Sequence, residues 1–138
     1  MTKLDTRLDT RLNHINLPVS DVPELTRFFQ QAFGFRLADQ RGNGTFSVLV
    51  GDDGFILVLS YDKTIGPKTY PGLFHVGFLV DSTTAVRQQH QRLAEAGLDA
   101  PTPAILERGG PKAYGFYYPA PGGVVVEVST FADEPAPV

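Results

Sequence analysis

The chain contains no cysteine among its 138 residues. Disulfides, thiolate metal sites and cysteine nucleophiles are therefore excluded, and the composition is compatible with the reducing cytoplasm, where we expect the protein to reside. An excess of basic residues is also missing, because 12 Lys and Arg stand against 15 Asp and Glu, with a formal net charge of −3. We therefore expect neither a nucleic-acid surface nor a basic membrane patch.

Long apolar runs are missing as well. No run approaches the ~18 residues of a membrane-spanning helix, and the charged first residues lack the apolar core of a secretory signal. The remaining composition, 42% apolar and 20% charged, is typical of a globular domain. We expect a single domain over residues 11–130, a flexible leader over 1–10 and a flexible tail over 131–138.

The chain shows the order strand, helix and three strands twice. The first copy, module one, covers about residues 11–62, and the second, module two, covers about 73–130. The pattern predicts an α+β fold of two paired βαβββ modules, forming a cup-shaped mixed sheet with the helices on the outside. The predicted helix caps and stops are Ser20 or Asp21, Gly34, Asp81 or Ser82, and Gly97.

The two modules also repeat in detail. His14 and His75 occupy the same position in the first strand of each module, and Val58 and Glu127 occupy the same position in the last. Such repetition indicates a duplicated unit. One helix buries only one face of an open four-stranded sheet. Two units, or two chains, must therefore pair to close a cavity over the other face.

Strand alternation places three polar residues away from the helices. His14, His75 and Glu127 each lie opposite the main apolar set of their own strand. Two imidazoles and a carboxylate with open positions form a site suited to Fe(II), and also to Zn(II), Mn(II), Ni(II) or Co(II). The alternatives are strand histidines packed in the core or at its rim, and a solvated glutamate. The third histidine, His90, is predicted to be structural on the second helix.

Three segments resemble the vicinal oxygen chelate superfamily: LNHINLPVSDVPELTRFFQQAFGFRL, LFHVGFLVD and GFYYPAPGGVVVEV. From the first segment to the last, the resemblance extends over about residues 11–130. That superfamily includes glyoxalase I, extradiol dioxygenases, fosfomycin-resistance enzymes and bleomycin-resistance proteins. Its members pair βαβββ modules around a metal held by the first strand of each module and by a glutamate of the final strand. The resemblance implies the metal ligands His14, His75 and Glu127, and we expect a homodimer.

Departures from the family patterns narrow the expected chemistry. Glyoxalase I has a second glutamate ligand where this chain has Val58, so its four-ligand isomerisation is disfavoured. Extradiol dioxygenases place a further histidine about where Arg108, Gly109 and Gly110 stand here. Because this chain lacks that histidine, the cleavage of catechol rings is disfavoured. Bleomycin-binding relatives lack the metal ligands, whereas this chain retains all three.

We therefore expect a divalent-metal-dependent enzyme, using Fe(II), Mn(II), Zn(II) or Ni(II), that binds a small oxygenated organic substrate through vicinal oxygens. It would act as a dioxygenase or as a lyase or isomerase. Glu127 and Tyr117 are the predicted catalytic residues, with Tyr117 bonded to the substrate or, alternatively, packed in the sheet. The alternative function is a ligand-binding or antibiotic-resistance protein, similar to bleomycin-resistance proteins, without turnover. Further candidates are Arg41, Arg108 and Lys112 for an anionic group, and Tyr61, Tyr114, Phe116 and Tyr118 for an apolar pocket.

Overall fold

A computed structural model of the chain describes residues 10–107 and 111–131. Apart from Thr10 and Phe131, the predicted leader and tail lie outside these described residues. The described part forms a strand, a helix and three strands, and then the same order again. The predicted α+β class and the two βαβββ modules are confirmed.

Helix α1 (Val22–Phe33) begins and ends where the sequence predicts. The side chain of Asp21 accepts a hydrogen bond of 3.0 Å from the backbone N–H of Glu24, which caps the first turn. Gly34 ends the helix with a left-handed φ of 69° that a side chain would disfavour. One stripe of the helix is buried: Val22, Leu25, Thr26, Phe28, Phe29 and Ala32.

Helix α2 (Thr83–Glu95) is capped by Ser82 rather than by Asp81. The Ser82 hydroxyl accepts a 3.0 Å hydrogen bond from the N–H of Ala85. Gly97, with φ of 80°, stands just after the last turn. No helix in the described ranges is long and apolar enough to cross a membrane.

Module one forms a four-stranded mixed sheet. Strand β1 (His14–Val19) lies at its edge and pairs in parallel with β4 (Ile56–Tyr61). Strands β3 (Phe46–Val50) and β2 (Arg36–Arg41) follow in antiparallel order. The sequence separation of β1 and β4 accounts for the parallel pairing, because α1 and two strands connect them.

Module two repeats this sheet. Strand β5 (Val76–Leu79) lies at the edge and pairs in parallel with β8 (Val125–Thr130). Strands β7 (Ala113–Pro119) and β6 (Ala104–Leu106) complete it in antiparallel order. Strand β5 is shorter than the predicted 73–80, because a turn closed by a hydrogen bond from Phe74 N to Pro71 O precedes it.

The predicted alternation of the strands is confirmed. In each sheet one face is buried against the helices, and the polar candidates lie on the other face. The buried set on the helix faces includes Leu17, Val19, Leu49, Leu57, Leu59, Phe116, Val126 and Val128. For brevity, we call the face away from the helices the open face of each sheet.

The helix faces of the two modules share one core. Phe33 of α1 stacks on Phe78 of β5 with ring centroids 3.9 Å apart, and Phe28 stacks on Tyr118 at 5.9 Å. Helix α1 also contacts β3 and β4 of its own sheet, so it lies between the two sheets. The sheets therefore stay separate and open within one chain, and their open faces point away from the shared core.

The segment between the modules is held at both ends. Tyr70 donates a hydrogen bond to the carbonyl oxygen of Pro18, and its ring stacks on Phe74 at 5.0 Å. Pro67 packs so closely on Gly123 that a Cβ at position 123 would lie 2.4 Å from the Pro67 carbonyl oxygen. These contacts fix how the modules of one chain sit against each other.

Candidate metal centre

Glu127 and His75 form a pair on the open face of module two. Glu127 lies on β8 opposite Gly77 of β5, and His75 precedes Gly77 by two residues, so both side chains point to the same face. The distance from His75 Nε2 to Glu127 Oε1 is 3.3 Å. Glu127 is only 5% exposed. A carboxylate buried to this degree requires hydrogen bonds or a cation.

Two further residues of the same face surround the carboxylate. Ser129 Oγ donates a 2.5 Å hydrogen bond to Glu127 Oε2. Tyr117 lies directly opposite Glu127 on β7, and its ring meets the His75 ring edge-on with centroids 5.6 Å apart. Tyr117 therefore faces the site, as one of the two sequence-based alternatives proposed.

The His75 ring has a defined orientation. Its Nδ1 lies 2.9 Å from the carbonyl oxygen of Leu73, and since a carbonyl can only accept, Nδ1 carries the proton. In the neutral ring the Nε2 lone pair then points at Glu127 Oε1, so two acceptors face each other. A proton or a metal cation between these two atoms would attract both, and hydrogen bonding of the second ring nitrogen is typical of metal-bound histidines.

The pair has the spacing of two ligands on one ion. Ligand bonds of about 2.1 Å give a separation of about 3.0 Å at a right angle and about 3.4 Å at the tetrahedral angle. The observed 3.3 Å between His75 Nε2 and Glu127 Oε1 lies within this range. Imidazole nitrogen and carboxylate oxygen are also the donors that Fe(II), Zn(II), Mn(II) and Ni(II) accept. The residues present therefore fit a divalent metal.

His14 lies elsewhere in the chain. It begins β1 in the sheet of module one and is exposed, with its Nδ1 2.8 Å from Asn13 Oδ1. Within residues 10–107 and 111–131, no three His, Asp or Glu side chains of one chain come together to hold a metal. The structure thus brings together His75 and Glu127 but not His14. A shallow groove opens beside this end of β1, lined by Arg11, Leu12, Asn13, Asp53, Gly54 and Phe55.

The strand register reproduces the sequence repeat. Asn16 pairs with Val58 between β1 and β4, as Gly77 pairs with Glu127 between β5 and β8. Val58 therefore has the place in module one that Glu127 has in module two. Valine offers no lone pair to a metal, so the open face of module one contributes an imidazole but no carboxylate at this level.

The other candidates from the sequence lie away from the pair. His90 Nε2 is 2.9 Å from the carbonyl oxygen of Ala100 and its ring packs edge-on against Phe116, contacts that agree with the predicted structural role. Arg41 is exposed, with Nε 2.9 Å from Asp39 and its guanidinium over the Phe46 ring. The remaining candidates divide by location: Tyr114, Phe116 and Tyr118 belong to the helix-face core, Tyr61 and Lys112 are exposed, and Arg108 lies outside the described residues.

Ser129 is a site residue that the sequence reasoning did not single out. The signal was present, because Ser129 follows Glu127 by two residues and must share its face of the strand. Serine is common in strands and turns alike, however, and its hydroxyl reveals a role only once its partner is known. The pairing with Glu127 Oε2 supplies that partner.

Paired βαβββ modules with a histidine–carboxylate pair on an open sheet face define the class of protein. Residues 11–128 match the family described as the glyoxalase/bleomycin resistance protein/dioxygenase superfamily. The chain belongs to that superfamily, which has the vicinal oxygen chelate fold and includes glyoxalases, dioxygenases and fosfomycin resistance proteins. No curated protein sequence matches the chain significantly.

Solved structures of similar proteins agree with this family. A possible glyoxalase from Bacillus cereus is 36% identical, with a TM-score of 0.69 over 86% of this chain and 96% of that one. Lactoylglutathione lyase from Agrobacterium tumefaciens is 18% identical, with a TM-score of 0.67 over 88% and 93%. The fosfomycin resistance protein FosX from Listeria monocytogenes, a mutant solved with Mn(II) and 1S,2S-dihydroxypropylphosphonic acid, is 14% identical, with a TM-score of 0.63 over 88% and 89%. The last two show likeness of fold alone.

Proposed function

We propose that the protein is a divalent-metal-dependent enzyme of the glyoxalase and dioxygenase type, acting on a small organic substrate bound through two neighbouring oxygens. The observation that carries this proposal is the His75–Glu127 pair, with its 3.3 Å spacing and its fixed imidazole orientation. A divalent cation between the two groups would offset the cost of burying the carboxylate.

The third ligand in this proposal is His14 of a second copy of the chain. The open faces of the two modules point away from their shared core, so His14 and Glu127 of one chain cannot meet across it. Among the residues that the structure describes, the edge strands β1 and β5 each pair on one side only, and they carry exposed apolar side chains, with Ile15 41% and Leu79 67% exposed. A homodimer that joins module one of one chain to module two of the other would cover these edges and complete the site.

The two walls of such a site differ in polarity. Module two contributes the imidazole, the carboxylate and the Tyr117 hydroxyl, whereas module one places Val48 and Val58 at the corresponding positions. A substrate with vicinal oxygens on one side and an apolar body on the other fits these walls. FosX, with Mn(II) and a dihydroxypropylphosphonic acid bound, is a related fold in which a metal and an oxygenated ligand occur together.

The roles of the chain's own groups follow from this arrangement. A divalent ion bound at the pair would supply Lewis acidity toward the substrate oxygens. His75 and Glu127 would hold the ion, and the Leu73 carbonyl keeps the His75 ring in the orientation that this requires. Tyr117 forms a hydrogen bond with the substrate from the opposite strand. Because Val58 has no donor, the four-ligand isomerisation of a glutathione hemithioacetal is not proposed.

Metal content tests the proposal directly. Protein purified without a histidine tag should contain, or take up on reconstitution, about one divalent ion per chain. His75→Ala and Glu127→Ala should lose it, whereas the matched control His90→Ala should keep it, because His90 lies on α2 and bonds to the carbonyl oxygen of Ala100, away from the pair. Wild-type protein that takes up none of Fe(II), Mn(II), Zn(II) or Ni(II) would end the metal hypothesis.

The reaction class needs a second assay. Oxygen consumption with catechols by the Fe(II)-loaded protein would indicate a dioxygenase. Turnover of an oxygenated substrate without oxygen uptake would instead indicate a lyase or isomerase. A metal-loaded protein that binds such compounds and converts none of them would show that the site serves ligand binding or resistance rather than catalysis.

A further inference from the structure

We infer that Ser129 is a positioning residue that restricts Glu127 to binding a metal through one oxygen. This inference rests on the proposed function and goes beyond it, because it assigns different tasks to the two carboxylate oxygens. Oε1 faces His75 Nε2 at 3.3 Å and is the ligand atom. Oε2 accepts the Ser129 hydroxyl at 2.5 Å and is held away from the ion.

The hydrogen bond from Ser129 to Glu127 is shielded from water. Ser129 is 3% exposed and Glu127 is 5% exposed, so water competes little with the contact. A hydroxyl that donates to an ionised carboxylate forms a charge-assisted bond, about twice as strong as one between neutral groups. Since the carboxylate can only accept, the Ser129 proton lies on the Oε2 side.

Gly115 on the neighbouring strand fixes the position of Ser129. The two residues face each other across β7 and β8, and a Cβ at position 115 would lie 2.7 Å from Ser129 Cα and 2.8 Å from its Cβ. It would also lie 2.0 Å from the carbonyl oxygen of Val128. Gly115 is needed for space and not for a left-handed backbone, since its φ is not positive. Because Gly115 has no side chain, β7 and β8 lie close together, and Ser129 has little room to move beside Glu127.

The way in which Glu127 binds determines how many coordination positions of the ion remain for other ligands. A six-coordinate ion with two imidazoles and a one-oxygen carboxylate retains about three open positions. A carboxylate bound through both oxygens would leave about two. Ser129 therefore keeps a position available beyond the two that a substrate with vicinal oxygens would occupy.

Module one contains a natural control. Ser60 has the register position that Ser129 has in module two, but Val58 stands where Glu127 would be, and the Ser60 hydroxyl bonds to Asn16 Oδ1 at 2.6 Å. Ser60→Ala therefore removes an equivalent hydroxyl without touching a carboxylate. Ser129→Thr keeps a hydroxyl at the test position.

The experiment is water-proton relaxation of the full chain loaded with Mn(II), which reports how many exchangeable waters the ion holds, together with Mn(II) affinity. Ser129→Ala should lower the relaxation enhancement per bound ion by about a third, as one of about three waters is displaced by Oε2. Ser129→Gly provides the same loss of the hydroxyl if Ser129→Ala does not fold. Wild type, Ser129→Thr and Ser60→Ala should give the same enhancement.

Each outcome decides between the claims. An unchanged enhancement in a folded variant that lacks the Ser129 hydroxyl would overturn the inference and leave the metal site standing. An equal fall in Ser129→Thr would show that packing rather than the hydroxyl matters, and would also overturn it. Wild-type protein that binds no Mn(II) or other divalent ion would instead refute the proposed function, and this inference with it.

Discussion

Truncation of Phe78 tests whether the two modules of one chain share a core. Phe78 belongs to β5 of module two, yet its ring stacks on Phe33 of module one with centroids 3.9 Å apart. The Phe78 ring is also tilted against Phe29 at 6.4 Å and meets Phe35 edge-on at 6.1 Å. Phe78→Ala would remove these contacts from the junction. If the junction is intact in solution, the whole chain should lose stability, not module two alone.

The expected magnitude follows from burial and ring contacts. A fully buried Phe→Ala change costs about 3–5 kcal/mol, and each aromatic pair contributes about 0.5–1.5 kcal/mol of its own. Phe78 is only partly buried, so we expect about 3 kcal/mol. With a urea slope of about 2 kcal/mol per molar, the midpoint should fall by about 1.5 M.

The assay is equilibrium unfolding in urea, with metal removed and protein concentration held constant. Ile105→Ala on the distant edge strand β6 is the control, and because Ile105 is 40% exposed it should cost about 1 kcal/mol or less. A midpoint for Phe78→Ala no lower than that of Ile105→Ala would refute the shared core. Two separate unfolding transitions in the wild type would refute it as well.

Three further changes test other contacts. Burial raises the pKa of Tyr70, and the charge of Asp62 is a smaller cause. The contribution of the protonated Tyr70 side chain to the free energy of unfolding is therefore complete below pH 10.0, and it is lost as pH rises through the higher folded-state pKa. Urea midpoints of the wild type should therefore fall more steeply above pH 10.0 than those of Tyr70→Phe, and parallel curves would contradict this. Gly115→Ala should cost about 3 kcal/mol in the same assay, because its Cβ would lie 2.0 Å from the Val128 carbonyl oxygen. Gly77→Ala, whose Cβ would have nothing within 4 Å, should cost about 1 kcal/mol or less. Equal costs for the two variants would contradict this packing. Val58→Glu should strengthen divalent-metal binding about tenfold by adding a carboxylate at the repeat position of Glu127, and calorimetric titration showing no gain over Val58→Gln would place that face away from the ion.

The local elements of the fold were predictable because short-range chemistry fixes them. Asp21 and Ser82 cap the helices through hydrogen bonds to nearby backbone amides, and Gly34 ends α1 in a conformation that disfavours other residues. Strand alternation then placed His75 and Glu127 on one face, and the structure confirms that they meet. Periods of two and 3.6 residues carry this information in a single sequence.

The arrangement of the modules was not predictable in the same way. Each module presents an apolar helix face, and sequence periodicity does not say whether the partner of that face comes from the same chain. The contacts of Phe33 with Phe78 and of Tyr70 with Pro18 settle this for one chain. They leave His14 on a face that points away from Glu127, so these two residues of one chain do not meet.

The late start of β5 has a similar origin. The apolar pattern extends back to Leu73, but β5 begins only at Val76 because the turn closed by the hydrogen bond from Phe74 N to Pro71 O precedes it. That turn places the Leu73 carbonyl against His75 Nδ1. A detail of loop geometry that no periodicity encodes thus sets the orientation of the central imidazole.

Mixing two inactive variants tests the central claim, that each metal site combines His14 of one chain with His75 and Glu127 of another. His14→Ala and Glu127→Ala should each bind little metal alone. After unfolding and refolding as an equal mixture, about half of the dimers should be mixed, and each mixed dimer should hold one intact site of two. The account predicts about a quarter of the wild-type metal content. A mixture that binds no more metal than the separate variants would contradict it.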